Sequence, residues 1–208
     1  MRGPLVIVGD ALLDVDLEGR AGRLTPDAPV PVLDERAAHP RPGGAGLAAL
    51  MAARDGHEVV LVTALGDDPA GGQLHGLLVE AGVDVIGLPF DGPTPVKKRV
   101  RADGQSLLRL DSGSAPGTVT GVPPEVGSVL HGAGAVLVAD YGRGVTAVPE
   151  LRELLAGLPS RVPVVWDPHP RGCEPVPGVR LVTPNEGESA HFGELAGIEV
   201  AGGGTDLA

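Results

Sequence analysis

Aromatic side chains are nearly missing from this chain: two Phe, one Trp and one Tyr make up 2% of 208 residues. A core built from it must be aliphatic, and a row of aromatic platforms for stacking single-stranded bases is excluded. Positive charge is scarce too. Lys and Arg number 16 against 27 Asp and Glu, a formal net charge of -11, which argues against tracking a nucleic-acid backbone by neutralising it. The one cysteine, Cys173, has no intrachain partner for a disulfide. No apolar run reaches the length of a membrane span, and the run after Met1-Arg2-Gly3-Pro4 is too short for a secretory signal. A soluble cytoplasmic chain is expected, with neither a nucleic-acid nor a membrane partner.

What is present is 42% hydrophobic residues, with 33 Gly and 21 Pro spread along the whole length. That suits one globular domain with a sizeable core. Apolar runs alternate with helical spacing, which predicts an α/β layered domain with a largely parallel sheet. Strands are expected at Leu5 to Val8, Val59 to Val62, Ala135 to Val138, Val162 to Val165 and Val179 to Val182. Helices are expected at Ala45 to Asp55, Ala70 to Ala81, Thr146 to Leu158 and Glu186 to Leu195. Asp27 to Ala37 and Lys97 to Asp111 read as extended and half polar, so they are expected to form a small β flap over the ligand edge, with flap segments at about 15–40 and 94–111. No repeat, low-complexity tract or long linker interrupts the pattern.

Open parallel sheets bind ligands beyond the carboxyl ends of their strands. Three strand ends carry acids there: Asp10 and Asp14 after the first strand, Asp140 after the third, and Asp167 after the fourth. A turn former or helix cap is the plain alternative for each. Together they suit a neutral polyol, whose hydroxyls donate to acceptor-only carboxylates, better than a carboxylic acid. Pro42-Gly43-Gly44-Ala45-Gly46 then precedes a helix of small residues. Glycines at such a place let the backbone approach a ligand and offer amides to an anion; a tight turn beneath a closely packed helix is the alternative. Gly44-x-Gly46-x-x-Ala49 also fits the loose dinucleotide fingerprint, but Arg36 to Pro42 is polar and proline-bearing where a strand is required. Thr183-Pro184-Asn185-Glu186-Gly187-Glu188 follows an apolar run, and reads either as an Asn-x-x-Glu metal and phosphate motif or as an Asn cap with a helical Glu.

In order along nearly the whole chain, these segments resemble the ribokinase-like (PfkB-type) carbohydrate kinases, and within them the heptose 7-phosphate kinases. The resemblance rests on Gly9-Asp10-x-x-x-Asp14, Pro26-Asp27-Ala28-Pro29-Val30-Pro31-Val32, Arg41-Pro42-Gly43-Gly44-Ala45, Gly66-Asp67-Asp68, Thr94-x-x-Lys97-x-Arg99-Val100, Arg109-Leu110-Asp111, Asp140-Tyr141-x-x-Gly144, Asp167-Pro168 and Thr183-Pro184-Asn185-x-x-Glu188.

The resemblance implies a layered sheet with a β flap. Asp10, Asp14, Gly43 and Gly44 would contact the sugar. Lys97, Arg99 and Arg109 would lie on or near the flap, as phosphate contacts or as a solvated charged strand. Asn185 and Glu188 would organise Mg²⁺ through water beside the ATP phosphates, with Asp140 and Asp167 on the nucleotide side. It also implies a homodimer through the flap, and transfer of the ATP γ-phosphate to the anomeric hydroxyl of a sugar phosphate. Two departures accompany it. Leu47 stands where the family carries a sugar-contacting Asn, and the Gly-Ala-Gly-Asp segment with the anion hole and catalytic base does not occur in these 208 residues. The expectation is therefore a partial domain, with its base beyond residue 208 and little turnover by itself. A non-catalytic sugar-phosphate-binding module and a nicotinamide-dependent enzyme are the competing readings.

Overall fold

The computed structural model describes residues 3–113, 117–158, 160–185, 187–188 and 199–200. Its main sheet contains β1 (Leu5–Gly9), β4 (Val59–Ala64), β5 (Val83–Leu88), β10 (Ala135–Ala139), β11 (Val164–Asp167), β12 (Leu181–Val182) and β13 (Glu199–Val200). They run in the order β13-β12-β11-β10-β1-β4-β5, all parallel. Four α-helices are described: α1 (Ala45–Arg54), α2 (Pro69–Glu80), α3 (Pro124–Gly132) and α4 (Pro149–Ala156).

Strand alternation divides the core into two layers. Val6, Val8, Val60, Val62, Val136 and Val138 face α3 and α4, packing with Val126, Leu130, Leu151 and Leu155. Ile7, Leu61, Ala49, Leu74 and Leu78 pack together on the α1 and α2 side. Val6, Ile7 and Val8 are fully buried, which is why β1 reads as an unbroken apolar run rather than an alternating one. Burying each such side chain contributes roughly 1.5–3 kcal/mol.

A second sheet of four strands, ordered β3-β2-β7-β8, forms the flap from β2 (Ala11–Leu24), β3 (Pro31–Gly44), β7 (Val96–Ala102) and β8 (Gln105–Ser112). Its register places Arg41, Asp14, Lys97 and Asp111 in one cross-strand row, and His39, Asp16, Arg99 and Arg109 in the next row on the same face. The opposite face carries Pro40, Val15, Lys98 and Leu110, then Ala38, Leu17, Val100 and Leu108. One face is thus charged, alternating in sign across the first row and bringing Arg99 opposite Arg109 in the second, and the other is largely apolar. A small pair, β6 (Phe90–Asp91) and β9 (Thr118–Val119), flanks the flap's return.

Several expectations shift. The helix expected over 146–158 is a 3₁₀ turn at Val145–Ala147 followed by α4, because Pro149 sits at the first helical position, where its missing N–H costs nothing. The strand expected at 162–165 moves to Val164–Asp167, with Pro163 accepting from the Val136 N–H just before it. Arg36 to Pro42 is strand after all, but it belongs to the flap rather than to the parallel sheet a dinucleotide fold needs. Of the helix expected over 186–195, only Gly187 and Glu188 are described, and both are helical. Helix α3 and strand β5 were not anticipated.

Candidate active site

The direction in which strands are added reverses between β1 and β10, and the crevice opened by such a reversal is where this class of sheet binds ligands. Asp10 and Asp140 leave those two strands. Asp10 is 3% exposed, and its carboxylate accepts the backbone N–H groups of Tyr141 and Arg143 at 3.0 Å and of Val145 at 3.1 Å. Burial pushes its pKa up, opposed by these three bonds and helped by the neighbouring Asp140 charge. Asp140 is 1% exposed and accepts from the N–H groups of Gly142 and Cys173, both at 2.8 Å. The two acids therefore hold two loops, 141–145 and 171–173, by their backbones. Gly142 has φ +67°, and a Cβ there would lie 2.7 Å from the Arg171 carbonyl oxygen. Only glycine lets the loops press this close.

Asp14 lies at the base of the flap. Its Oδ1 accepts from Arg99 Nη1 at 2.9 Å, while its other oxygen lies beside Gly43, where an added Cβ would come within 2.8 Å of it. Asp16 pairs with Arg41 and lies 3.9 Å from Arg99. Gly44 begins α1, and the Ala45 N–H is taken by the Asp10 carbonyl. Lys97 is half-buried: desolvation lowers its pKa, Asp14 and Asp111 raise it, and the like charges of Arg143 and Arg109 lower it further. Arg109 pairs with Asp111 at 2.9 Å. The flap is anchored where Asp68, the N-cap of α2, accepts both the Gly71 and the Thr94 N–H groups at 2.7 Å.

The third group lies beyond β11 and β12. Asp167 accepts from the Thr183 hydroxyl at 3.2 Å. Burial pushes the Asp167 pKa up, Thr183 opposes this, and the charges of Glu188 and Asp140 raise it further. Asn185 and Glu188 close a capping box: the Asn185 N–H donates to Glu188 Oε2 at 2.9 Å, and the Glu188 N–H donates to Asn185 Oδ1 at 3.0 Å. Glu188 is 8% exposed. Tyr141 stands between the groups, its pKa raised by burial and then by Asp167, Glu188 and Asp14.

An all-oxygen donor set with accumulated negative charge suits Mg²⁺. Among the described residues no cluster of three or more ligating side chains is preassembled, so a Mg²⁺ here would depend on water and on phosphate oxygens brought by a nucleotide. The residues fit on those terms, with Glu188, Asn185 and Asp167 as the candidates to hold it.

A cavity of about 500 Å³ opens between the flap and the loops, lined by Leu12, Lys97, Arg109, Tyr141, Arg143 and Arg171 among others. Of the residues expected at the site, the structure brings Lys97 and Arg109 to the cavity lining, with Asp14 the cross-strand neighbour of Lys97; Asp10, Asp14, Gly43, Gly44, Arg99, Asp140, Asp167, Asn185 and Glu188 are not among the lining residues. Tyr141, Arg143 and Arg171 were missed by sequence reasoning; the available signal was that both arginines lie within four residues of a strand-ending Asp.

Residues 4–201 match the pattern of the pfkB family carbohydrate kinases. The bifunctional protein HldE of Streptomyces coelicolor is 54% identical over 196 residues, covering 94% of this chain and 41% of that protein. HldE of Nitrosococcus oceani is 35% identical over 188 residues, covering 88% and 39%. The chain spans about two fifths of these relatives. Among solved structures, Arabidopsis thaliana ribokinase complexed with ribose and ATP superposes with a TM-score of 0.60 at 21% identity, covering 92% of this chain and 63% of that one. A carbohydrate kinase from Agrobacterium tumefaciens gives 0.66 at 16%, covering 91% and 63%. The parallel sheet with its flap, the acid-lined reversal point and the match over almost the whole sequence place this chain in the pfkB family of carbohydrate kinases.

Proposed function

We propose that the chain is the sugar-binding and metal-organising part of an ATP-dependent kinase acting on a sugar phosphate, with D-glycero-β-D-manno-heptose 7-phosphate as the substrate and its anomeric hydroxyl as the acceptor. The observation that carries this is the division of the crevice: a flap-covered cavity rich in cations beside Asp14, and a separate carboxylate group at Asp167 and Glu188. The first suits a phosphosugar and the second the Mg²⁺ that accompanies ATP. Similarity to HldE proteins supports the heptose. ATP is the cosubstrate.

In this reading Asp14 accepts from sugar hydroxyls, held in place by Arg99, and Gly43, lacking a Cβ, lets the Asp14 and Leu12 side chains pack against its backbone. Asp10 and Asp140 position the loops rather than touch the sugar. Mg²⁺, when bound, would neutralise charge on the transferred phosphoryl group. No described residue is assigned as the base, since Asp10 and Asp140 are engaged by amides and Asp14 by a guanidinium. A homodimer through the flap's apolar face belongs to the proposal, as does a cytoplasmic setting; among the described residues no helix is long and apolar enough to cross a membrane.

Isothermal calorimetry with heptose 7-phosphate and Mg·ADP tests the reading, and ³¹P NMR with Mg·ATP as donor looks for a 1-phosphate product and ADP. Binding of both ligands supports it. Binding of the sugar phosphate without any nucleotide binding would favour a non-catalytic module, a reading that the engagement of Asp10 and Asp140 by backbone amides also fits. Binding of neither would overturn both.

A further inference from the structure

We propose that Arg143 and Arg171 clamp the phosphate group of the sugar substrate against Lys97 and Arg109, so that the cavity selects phosphorylated sugars over neutral ones. This rests on the reading of the cavity as the sugar site and adds residues to it. In a chain with 27 acidic and 16 basic residues, four cations line this one cavity, and Asp111 is the one carboxylate among its lining residues. Arg109 is paired with Asp111. Among the described residues, neither the Arg143 nor the Arg171 guanidinium has a carboxylate within ion-pair distance, whereas Arg41, Arg99 and Arg109 each do.

The backbones that carry these two arginines are anchored. Arg143 donates its own N–H to Asp10, and Arg171 lies between His169 and the Gly172-Cys173 segment that Asp140 ties down. Two buried carboxylates thus fix the backbones from which the two unpaired guanidinium groups extend. Each guanidinium is a planar fork of donors whose geometry matches a phosphate, carried on a backbone already anchored. Lys97 feels Arg143 as a like charge, which places the flap's cation and the loop's cation within electrostatic reach of one another. A dianion between them would relieve that repulsion. The nucleotide is the other source of phosphate. The argument for the sugar is that the flap itself supplies Lys97, Arg109 and Asp111 to the lining, and that Lys97 is the cross-strand neighbour of Asp14.

The test is calorimetry on the full chain and its Arg143→Gln and Arg171→Gln variants, with heptose 7-phosphate, dephosphorylated heptose and Mg·ADP as probes. Losing one charge-assisted contact should weaken heptose 7-phosphate roughly 10- to 100-fold while leaving the neutral heptose and Mg·ADP unchanged, and Arg143→Lys should recover part of the loss. Equal losses for the phosphorylated and neutral sugars, a loss confined to Mg·ADP, or no loss at all would each overturn the clamp. Should the unsubstituted chain bind neutral heptose as tightly as the phosphorylated form, the clamp fails while the sugar site stands. If it binds neither sugar, the sugar reading fails and the clamp with it.

Discussion

Asp10 and Asp14 stand four residues apart, yet the fold engages them differently. Asp10 accepts three backbone N–H groups, so Asp10→Ala orphans them in a buried place, and the cost should be about 2–4 kcal/mol. Urea unfolding should show this as a lower midpoint with an unchanged slope. Asp14→Asn keeps the shape but removes the charge; heptose 7-phosphate should bind about tenfold or more less tightly, with the urea midpoint shifted far less than by Asp10→Ala. Equal effects of the two substitutions on stability would show that the division between them is wrong. Asp167 supplies a titration. Its folded pKa lies above the ordinary carboxylate value, for burial and then for the Glu188 and Asp140 charges, partly offset by Thr183. Between the unfolded and folded values the native state holds the extra proton, so this group's contribution to stability falls as pH rises through that window and is constant above it. Glu188→Gln removes one raising charge. Carbon-13 NMR of the Asp167 carboxyl should show its pKa move down in that variant, and an unmoved titration would show that the two carboxylates do not interact.

At the scale of elements, the legible parts were those with punctuation. Gly43-Gly44 before α1 and Asp68-Pro69 before α2 mark helix starts by local chemistry, and both helices lie within a residue of expectation at their ends. Helix α3 escaped notice because it buries only Val126 and Leu130 between glycines, too few positions to display a period. The flap's charged face was illegible for another reason. Arg41, Asp14, Lys97 and Asp111 come from four distant segments, and only strand register puts them in one row. At Asn185 and Glu188 the sequence allowed a cap or a metal motif, and the reciprocal bonds are those of a cap. A cap does not preclude the second role, because Glu188 Oε2 is engaged and its other oxygen has lone pairs to offer. Asp68 links α2 to the flap's root. Asp68→Ala should cost about 1–2 kcal/mol and speed hydrogen exchange at the Thr94 amide; unchanged exchange there would leave Asp68 as a helix cap alone.

For the whole molecule, the apolar face of the flap leaves a pair of large side chains uncovered. Leu108 is 53% and Leu110 48% exposed, side by side on the face opposite the charged ladder. If two copies meet through that face, sedimentation velocity should show a dimer that Leu108→Glu with Leu110→Glu converts to monomer. A monomeric unsubstituted chain at high concentration would rule the contact out. The parallel sheet with its lateral flap was foreseeable from alternating apolar and helical segments, since that alternation admits few packings; the pairing of Asp10 with residues far along the chain was not, because nothing local in the sequence specifies it.

That pairing has a consequence in time. The amide partners of Asp10 lie 131, 133 and 135 positions further on. During synthesis from the amino end, at about 5–20 residues per second, the carboxylate is made roughly 7–27 seconds before the backbone that will neutralise its isolation. Through that interval β1 carries a strongly apolar run next to an acid with no native partner. The hydrated, ionised Asp10 then opposes premature burial of the strand end, and the crevice closes only once the loop after β10 has left the ribosome.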